Sequence, residues 1–566
     1  MALQRINLSG GSYDARAVSV AAQRVLNLYA EPIPAADGEP IQFAYYLTPG
    51  LKKFAQMTGP VETLYQATNG DLIAVSGGVV AYITDGGGVV ELGATSSGSG
   101  PARICDNGTT LFVVNGGKGG WYCTMPSQQS AFSYTVNSAV DEGSTAITIE
   151  SAFQLVAGYT YKVSGTGIAS GTTIIGASPA DSVTDITTLT LSAATTADID
   201  AAATISVTTV ASTRYGPLVS FVDDAFYGSP VIDILDTFFL FTNPDTSNWY
   251  TSPAQFADEN QTPFDGLYVA SDATSLSTIM GLAVVGQYIW LFSRTQVEFW
   301  YDSGAADFPF QRVQGVTVEA GCVSPYTIAK IPSTQATPNG GVMWLSQDRS
   351  GYARVYLGQL TAAAPVSTFP VEGALQDMGD LSHAVASTYQ QDGHVFYVLS
   401  VPGHSSWVYD VSTGLWHERC SLNAAGAELQ HRAFCWASAY GKVFAGDFEN
   451  GTIYQVDLDT FTDNGVPIKR QRAFPHLLTN GTRGIHRQFM LDMQNGAGQS
   501  VSVDWSDDRG ATFVGAQALT LGASGNVWPS IWRLGIARDR VYRITWNDPG
   551  DTALMGAFIS IDPVLT

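Results

Sequence analysis

Cysteine is scarce in this chain and has no pattern. The 566 residues contain five, at Cys105, Cys123, Cys322, Cys420 and Cys435, and no two of them form a C-x-x-C pair. An odd, scattered set excludes a disulfide framework and a zinc knuckle, and leaves buried free thiols as the expectation. Charge is also sparse, at 14% of residues, and of one dominant sign: 27 Lys and Arg stand against 50 Asp and Glu, a net of −23. Such a balance argues against DNA binding by phosphate neutralisation. The seven His are dispersed, with no H-x-x-x-H or H-E-x-x-H, so neither a metal site nor a cofactor is expected. No apolar run approaches the roughly 18 residues that cross a bilayer. The opening residues, Met1 to Asn7, lack the apolar core of a signal peptide. The expectation is a chain made in the cytoplasm, without a membrane anchor.

What is abundant is glycine, 58 residues, together with 11% aromatic and 45% apolar residues. Frequent turns among aromatic and β-branched residues point to an all-β protein of more than one domain. A unit recurs: an apolar strand, a Gly, Asn or Asp turn, a second strand, then a third rich in aromatics. Val61 to Tyr65, Leu72 to Val75 and Val79 to Ile83 make one copy, with Asn69-Gly70-Asp71 as its turn. Ala102 to Tyr122 make the next, and further copies lie near Phe238, Tyr288, Val342, Val395 and Lys442. About seven units at spacings of roughly 40 to 50 residues predict a β-propeller, whose blades cannot bury both faces alone and stack around an axis.

The spacing breaks at 125–213, a Thr-, Ser- and Ala-rich stretch with clear alternation in Ala146-Ile147-Thr148-Ile149 and Thr188-Leu189-Thr190-Leu191. It reads as a β-sandwich inserted between the second and third blades. The predicted organisation is therefore an extended N-terminal arm (1–55), first blades (56–124), the insert (125–213), the remaining blades (214–460) and a C-terminal, sandwich-like β domain (461–566). The part of the arm from Ser12 to Pro34 is expected to reach a neighbouring subunit, the alternative being a strand that completes its own propeller.

Few constellations suggest chemistry. Ser506-Asp507-Asp508-Arg509-Gly510-Ala511-Thr512-Phe513 fits the S-x-D-x-G-x-T-aromatic "Asp box", a hairpin device found in sialidases and many other β-proteins. A glycosidase would also need arginines converging on a carboxylate and a Tyr–Glu pair, which sequence cannot bring together. Gly116-Gly117-Lys118-Gly119-Gly120 lacks the spacing of a phosphate-binding loop and reads as a turn. From Val466 onward ten Lys and Arg meet eight Asp and Glu, so nearly all the negative charge lies earlier. Within that stretch Lys469, Arg470, Arg472, Arg483 and Arg487 form the clearest basic cluster. It is a candidate inter-subunit or DNA contact, the alternative being a solvated charge run.

In order along the chain, Asn27-Leu28-Tyr29-Ala30-Glu31-Pro32, Leu47-Thr48-Pro49-Gly50-Leu51, Thr295-Gln296-Val297-Glu298-Phe299-Trp300 and Gly556-Ala557-Phe558-Ile559-Ser560-Ile561 resemble the nozzle, or packaged-DNA-stabilisation, proteins of short-tailed bacteriophages (podoviruses). The insert departs from the plainest members of that family. The resemblance implies a virion structural protein of the phage tail, a homohexameric ring below the tail adaptor (the head-to-tail connector). Such a ring retains packaged DNA and is the conduit for DNA ejection, passing genomic DNA without reading it, with tail fibre or spike proteins as neighbours. On this reading the chain is not an enzyme and has no catalytic residues. The alternative is a carbohydrate-binding or glycan-cleaving propeller adhesin of a phage tail.

Overall fold

Two-residue turns set the hairpins of this chain. Asp392-Gly393 and Tyr440-Gly441 each place both residues at positive φ, 48° and 81° in the first and 52° and 70° in the second. That is the turn whose twist matches paired strands. Between such turns the computed structural model is built almost wholly of antiparallel strands. It describes residues 3–564 except 9, 15–18, 34–40, 97, 99, 126–128, 152, 154, 156–158, 179–185, 212–213, 222, 257–262, 273–276, 306–307, 479–480, 495–497 and 523–527. No helix among the described residues is long and apolar enough to cross a membrane.

Among the described residues, seven four-stranded units form a β-propeller. Blade 1 runs Val61–Gln66, Leu72–Ser76, Val79–Ile83, Val89–Ala94, from axis to rim. The first strands of blades 2 to 6 are Arg103–Asp106, Ile232–Leu235, Ile279–Val285, Ala329–Ile331 and Val385–Gln391, and blade 7 begins with Ala433–Ala439. Each first strand lies beside that of the next blade, and Ala433–Ala439 lies against Val61–Gln66, which closes the ring. Every junction between blades has its own apolar core. Phe112, Phe226, Phe241 and Tyr250 fill the junction of blades 2 and 3, and Trp290, Phe292 and Trp344 that of blades 4 and 5. Packing both faces of each sheet removes the apolar area that a single blade would expose, and this is what holds the ring together. All five cysteines are buried and free.

The ring is closed by distant sequence. In blade 7 the fourth strand is Gly50–Gln56, antiparallel to Thr452–Asp457 with Leu51 opposite Val456, and its outer edge pairs in parallel with Thr462–Asp463. Gly50 is required there, because a Cβ would lie 2.2 Å from the Thr460 carbonyl oxygen. The insert leaves from within blade 2, between its third strand, Gly120–Thr124, and its fourth, Val219–Phe221, and not from between blades 2 and 3. Among the described residues its six strands form one hydrogen-bonded sheet folded over a single core of Ile147, Ile149, Val163, Leu189 and Val207. The residues where it departs and rejoins, 126–128 and 212–213, lie outside the described residues.

The expectation of an arm reaching a neighbour is corrected. Strands from residues 4–47 pair within this chain and complete the C-terminal β-sandwich. Gln4–Arg5 joins Leu554–Pro563, the hairpin Leu28–Ile33/Gln42–Leu47 extends the same sheet, and Val25–Leu26 lies between Leu415–Leu422 and Arg470–Ala473. The two sheets enclose Leu28, Tyr45, Phe489, Val503, Tyr542 and Leu554. The physical reason is that isolated strands leave their amide groups unpaired, and the sandwich supplies partners for them. One sheet therefore runs unbroken from blade 6 through Val25–Leu26 into the sandwich, fusing the two bodies.

Candidate functional site

The basic cluster read from the sequence is not one surface. Arg470–Ala473 is an interior strand, paired on one side with Val25–Leu26 and on the other with Asp539–Trp546. Arg470 and Arg472 are wholly buried. Arg472 donates to the carbonyl of Ala473 at 2.8 Å and to the Tyr45 hydroxyl at 3.1 Å, and its guanidinium lies over the Tyr45 ring. Arg470 points toward the carbonyls of Ile468 and Phe461. Burial brings its pKa down to about 10, against the pull of Asp463, whose own burial pushes it up to about 6. These two arginines belong to the sandwich interior and face neither DNA nor a neighbour, which corrects that part of the expectation. Interior strand position, invisible in a run of charges, decided it.

The other three members lie apart. Lys469 binds Glu428 at 2.7 Å, and Glu428 also binds Arg24 at 2.9 Å, which in turn clasps Glu418 at 2.8 Å. This chain of charges fastens the N-terminal segment to blade 6. Arg487 is exposed and ion-paired to Asp562, and Arg483 is exposed nearby.

Asn27, which the sequence offered only as the start of a family-like motif, holds the junction. Its Nδ2 donates to the carbonyls of Cys420 at 3.0 Å and Lys469 at 2.7 Å, while its Oδ1 accepts the Cys420 amide at 3.1 Å. Asn27 has φ 51° and is buried. Asn tolerates the left-handed region better than other side chains of its size, and a buried amide is held by satisfying both its ends. The signal available was the polar Asn inside the apolar run Val25-Leu26-Asn27-Leu28-Tyr29.

Nearby, His394 bridges two carboxylates, Asp410 at 2.7 Å and Glu31 at 3.1 Å. The hydrogen bond it donates to Asp410 raises its pKa above the ordinary value, with Glu31 adding to the effect against partial burial. Glu31 belongs to the N-terminal hairpin and Asp410 to blade 6, so this is a second charge clasp between the same two bodies.

The axis of the propeller holds a pocket of about 300 Å³. Tyr65, Arg103, Cys105, Asp233, Ala283 and Lys330, from the inner strands of blades 1 to 5, contribute to its wall. Arg103 crosses from blade 2 and donates to the carbonyl of Tyr326 at 3.0 Å, in the short 3-10 turn before blade 5. Lys330 is paired with Asp233 at 2.6 Å.

The Asp box folds as a hairpin tip between Ser500–Ser506 and Val514–Thr520, in the C-terminal sandwich and away from the propeller axis. Asp508 accepts the Ser506 hydroxyl at 2.6 Å and the Thr512 amide at 2.9 Å, and these bonds bring its pKa down to about 2. The aromatic of the box, Phe513, carries the Arg543 guanidinium on its face at 3.8 Å. The Gly116-rich segment is a turn joining two strands of blade 2, with Asn115 Oδ1 accepting the Gly117 amide. Among the described residues no His, Cys, Asp and Glu group could hold a metal ion.

A propeller closed by its N-terminal strand and fused through one sheet to a terminal sandwich defines the class of protein. The profile of the family described as "Bacteriophage P22 Gp10, beta-propeller" (Phage_stabilise) matches residues 138–461, more than half of the chain. The chain belongs to that family, and is a structural protein of the phage tail and a virion component. No curated protein matches it in sequence.

Among solved structures, phage phi92 endosialidase is 13% identical, with 65% of this chain and 67% of that chain covered and a TM-score of 0.32. Trypanosoma rangeli sialidase in complex with sialic acid is 10% identical, with 92% and 94% covered and a TM-score of 0.24. The N-terminal domain of Nup159 is 8% identical, with 77% and 99% covered and a TM-score of 0.31. Two of these three are enzymes, so the expectation that the chain is not an enzyme is withdrawn. At such scores the likeness assigns no activity to this chain.

Proposed function

We propose that this chain is a nozzle subunit of a short phage tail: a homohexameric ring below the tail adaptor that retains packaged DNA and conducts it outward on ejection. The single observation that carries this reading is the match of residues 138–461 to the P22 Gp10 propeller family.

Two physical features support it. Residues 1–465 hold nearly all the negative charge, and a wall of that sign repels phosphates, which suits DNA that must pass without sticking. The propeller axis is a pocket of about 300 Å³ crossed by Arg103, far too narrow for a duplex. A path for DNA therefore runs between subunits, and the unbroken sheet from blade 6 into the sandwich gives each subunit the stiffness to wall it. Lys469, Arg483 and Arg487 are the members of the basic cluster left at or near the surface, and on this reading they meet a neighbouring subunit, the adaptor, or DNA. Tail fibre or spike proteins are the expected distal neighbours, and the subunit is synthesised in the host cytoplasm before assembly.

Immunogold electron microscopy of purified phage particles, with antibody raised against this chain, tests the reading. Gold at the distal end of the tail axis is the expected result. Gold on peripheral fibres, or particles without label and without peptides of this chain in their mass spectrum, overturns it.

A further inference from the structure

The axial pocket carries an unbalanced charge. Lys330 is neutralised by Asp233 at 2.6 Å, and the second oxygen of Asp233 accepts the Val284 amide at 2.7 Å. Arg103 has no such partner. Its guanidinium donates to one carbonyl, that of Tyr326, and lies 5.3 Å from the Tyr326 ring centroid, with no carboxylate among the described residues in ion-pair contact. Desolvation pushes its pKa down, and no carboxylate charge opposes the shift. The Tyr65 hydroxyl, also on the wall, is already committed to Asp106 at 2.8 Å.

Arg103 is half-buried, and a cation partly withdrawn from water without a counter-ion carries a cost that an anion entering the pocket relieves. The chemistry of the anion follows from the wall. A guanidinium fork matches a carboxylate in two parallel hydrogen bonds. Ile104, Val231, Leu282 and Ile328 offer apolar surface to the remainder of the ligand. One uncompensated positive charge calls for one negative charge, and Asp233 repels a second. A pocket of about 300 Å³ lies at the lower end of the range for small-molecule sites.

We propose that the propeller axis is a binding site for a small monocarboxylate with an apolar body, gripped by Arg103 and tuned by the Asp233–Lys330 pair. The site stands apart from the tail-ring reading, since it lies within one propeller and needs no second subunit.

The test is a calorimetric titration of the full-length chain with benzoate, and with benzamide as its neutral isostere. Benzoate is expected to bind one to one and at least tenfold more tightly than benzamide. Arg103→Gln should abolish the difference, and Arg103→Lys should keep part of it. Lys330→Met leaves Asp233 facing the pocket unpaired and should weaken benzoate several-fold. Asp233→Asn removes the competing carboxylate, frees Lys330, and should tighten it. Equal affinities for benzoate and benzamide, binding unchanged by Arg103→Gln, or no tightening with Asp233→Asn each overturn the proposal. The Asp233 arm keeps the test decisive should the Arg103 variants not fold, because it reads the sign of the charge effect on its own.

Discussion

Asn27 and Cys420 hydrogen-bond in both directions: the Asn27 side chain donates to the Cys420 carbonyl at 3.0 Å and accepts its amide at 3.1 Å. This is the pairing a β-ladder makes, supplied by a side chain at the point where blade 6 meets the sandwich. The Asn27 backbone takes part as well, donating to the Glu418 carbonyl at 2.8 Å and accepting from Thr48.

Asn27→Ala removes three side-chain hydrogen bonds to backbone groups and forces Ala into φ 51°. Each buried group left unpaired costs about 1–3 kcal/mol, so a loss of roughly 2–5 kcal/mol is expected. Chemical denaturation reads it. Asn27→Gly relieves the backbone and should recover only the smaller part of the loss. Equal stability of Asn27→Ala and the native chain would show that the junction is held elsewhere.

Gly50→Ala tests the closure of the ring. The new methyl meets the Thr460 and Thr462 carbonyl oxygens at 2.2 and 2.7 Å, both of them backbone atoms that cannot swing aside. Overpacking of this kind costs about 1–3 kcal/mol. Blade 7 should loosen first, seen as faster amide exchange along Thr452–Asp457, with the insert unchanged. Uniform exchange across the chain would instead mean that closure is not local.

Acid should unfold the protein by a histidine route. Burial pushes His431 down to about 3, His486 down to about 4, and His417 well below its ordinary value. A folded pKa below the unfolded one means that unfolding takes up a proton. Stability is then present above the unfolded value of about 6.5 and falls as pH drops from there toward the folded values. A fall in melting temperature beginning near pH 6.5, before most carboxylates titrate, is the expected curve. His486→Gln should flatten it. A flat native profile from pH 6.5 to 4.5 would remove this account.

His394 works in the opposite sense. Its raised folded pKa means that the clasp between Asp410 and Glu31 is fully present below the unfolded value of about 6.5 and is lost as pH rises through the folded one. The charged groups that face it are Asp410, Glu31, buried Arg419 by way of Phe396, and His417, which is neutral in this range. Raising pH above neutrality should loosen the hairpin Leu28–Ile33/Gln42–Leu47 against blade 6, with amide exchange rising there first. His394→Gln should make the protection of those amides, taken relative to the intrinsic base-catalysed rate, independent of pH over the same range.

Much of the propeller was legible locally. Leu72 to Val75 and Val79 to Ile83 are two apolar runs, read as strands, and Gly77-Gly78 between them, both at positive φ, turn the hairpin. The Asp box is also local: Ser506, Asp508, Gly510 and Thr512 hydrogen-bond within six residues of one another. Arg470 and Arg472 were not legible. Alternation in Lys469-Arg470-Gln471-Arg472 reads as a solvated run, since nothing local reveals that strands lie on both sides. Arg103 carried no signal either, standing alone in Pro101-Ala102-Arg103-Ile104. Its meaning depends on Tyr326 and Lys330, more than two hundred residues away.

The sequence by itself determined the strands, their turns, the repeat that stacks them and the acidic character of most of the chain, because these follow from contacts and periodicities within a few residues. Tertiary structure alone decided where the ends go. Gly50–Gln56 closes blade 7 because the open edge of Thr452–Asp457 has unpaired amides to satisfy. The N-terminal strands complete the sandwich for the same reason. Which charges are buried, paired or left facing a pocket follows from that closure, since burial is set by what the chain brings together from far apart.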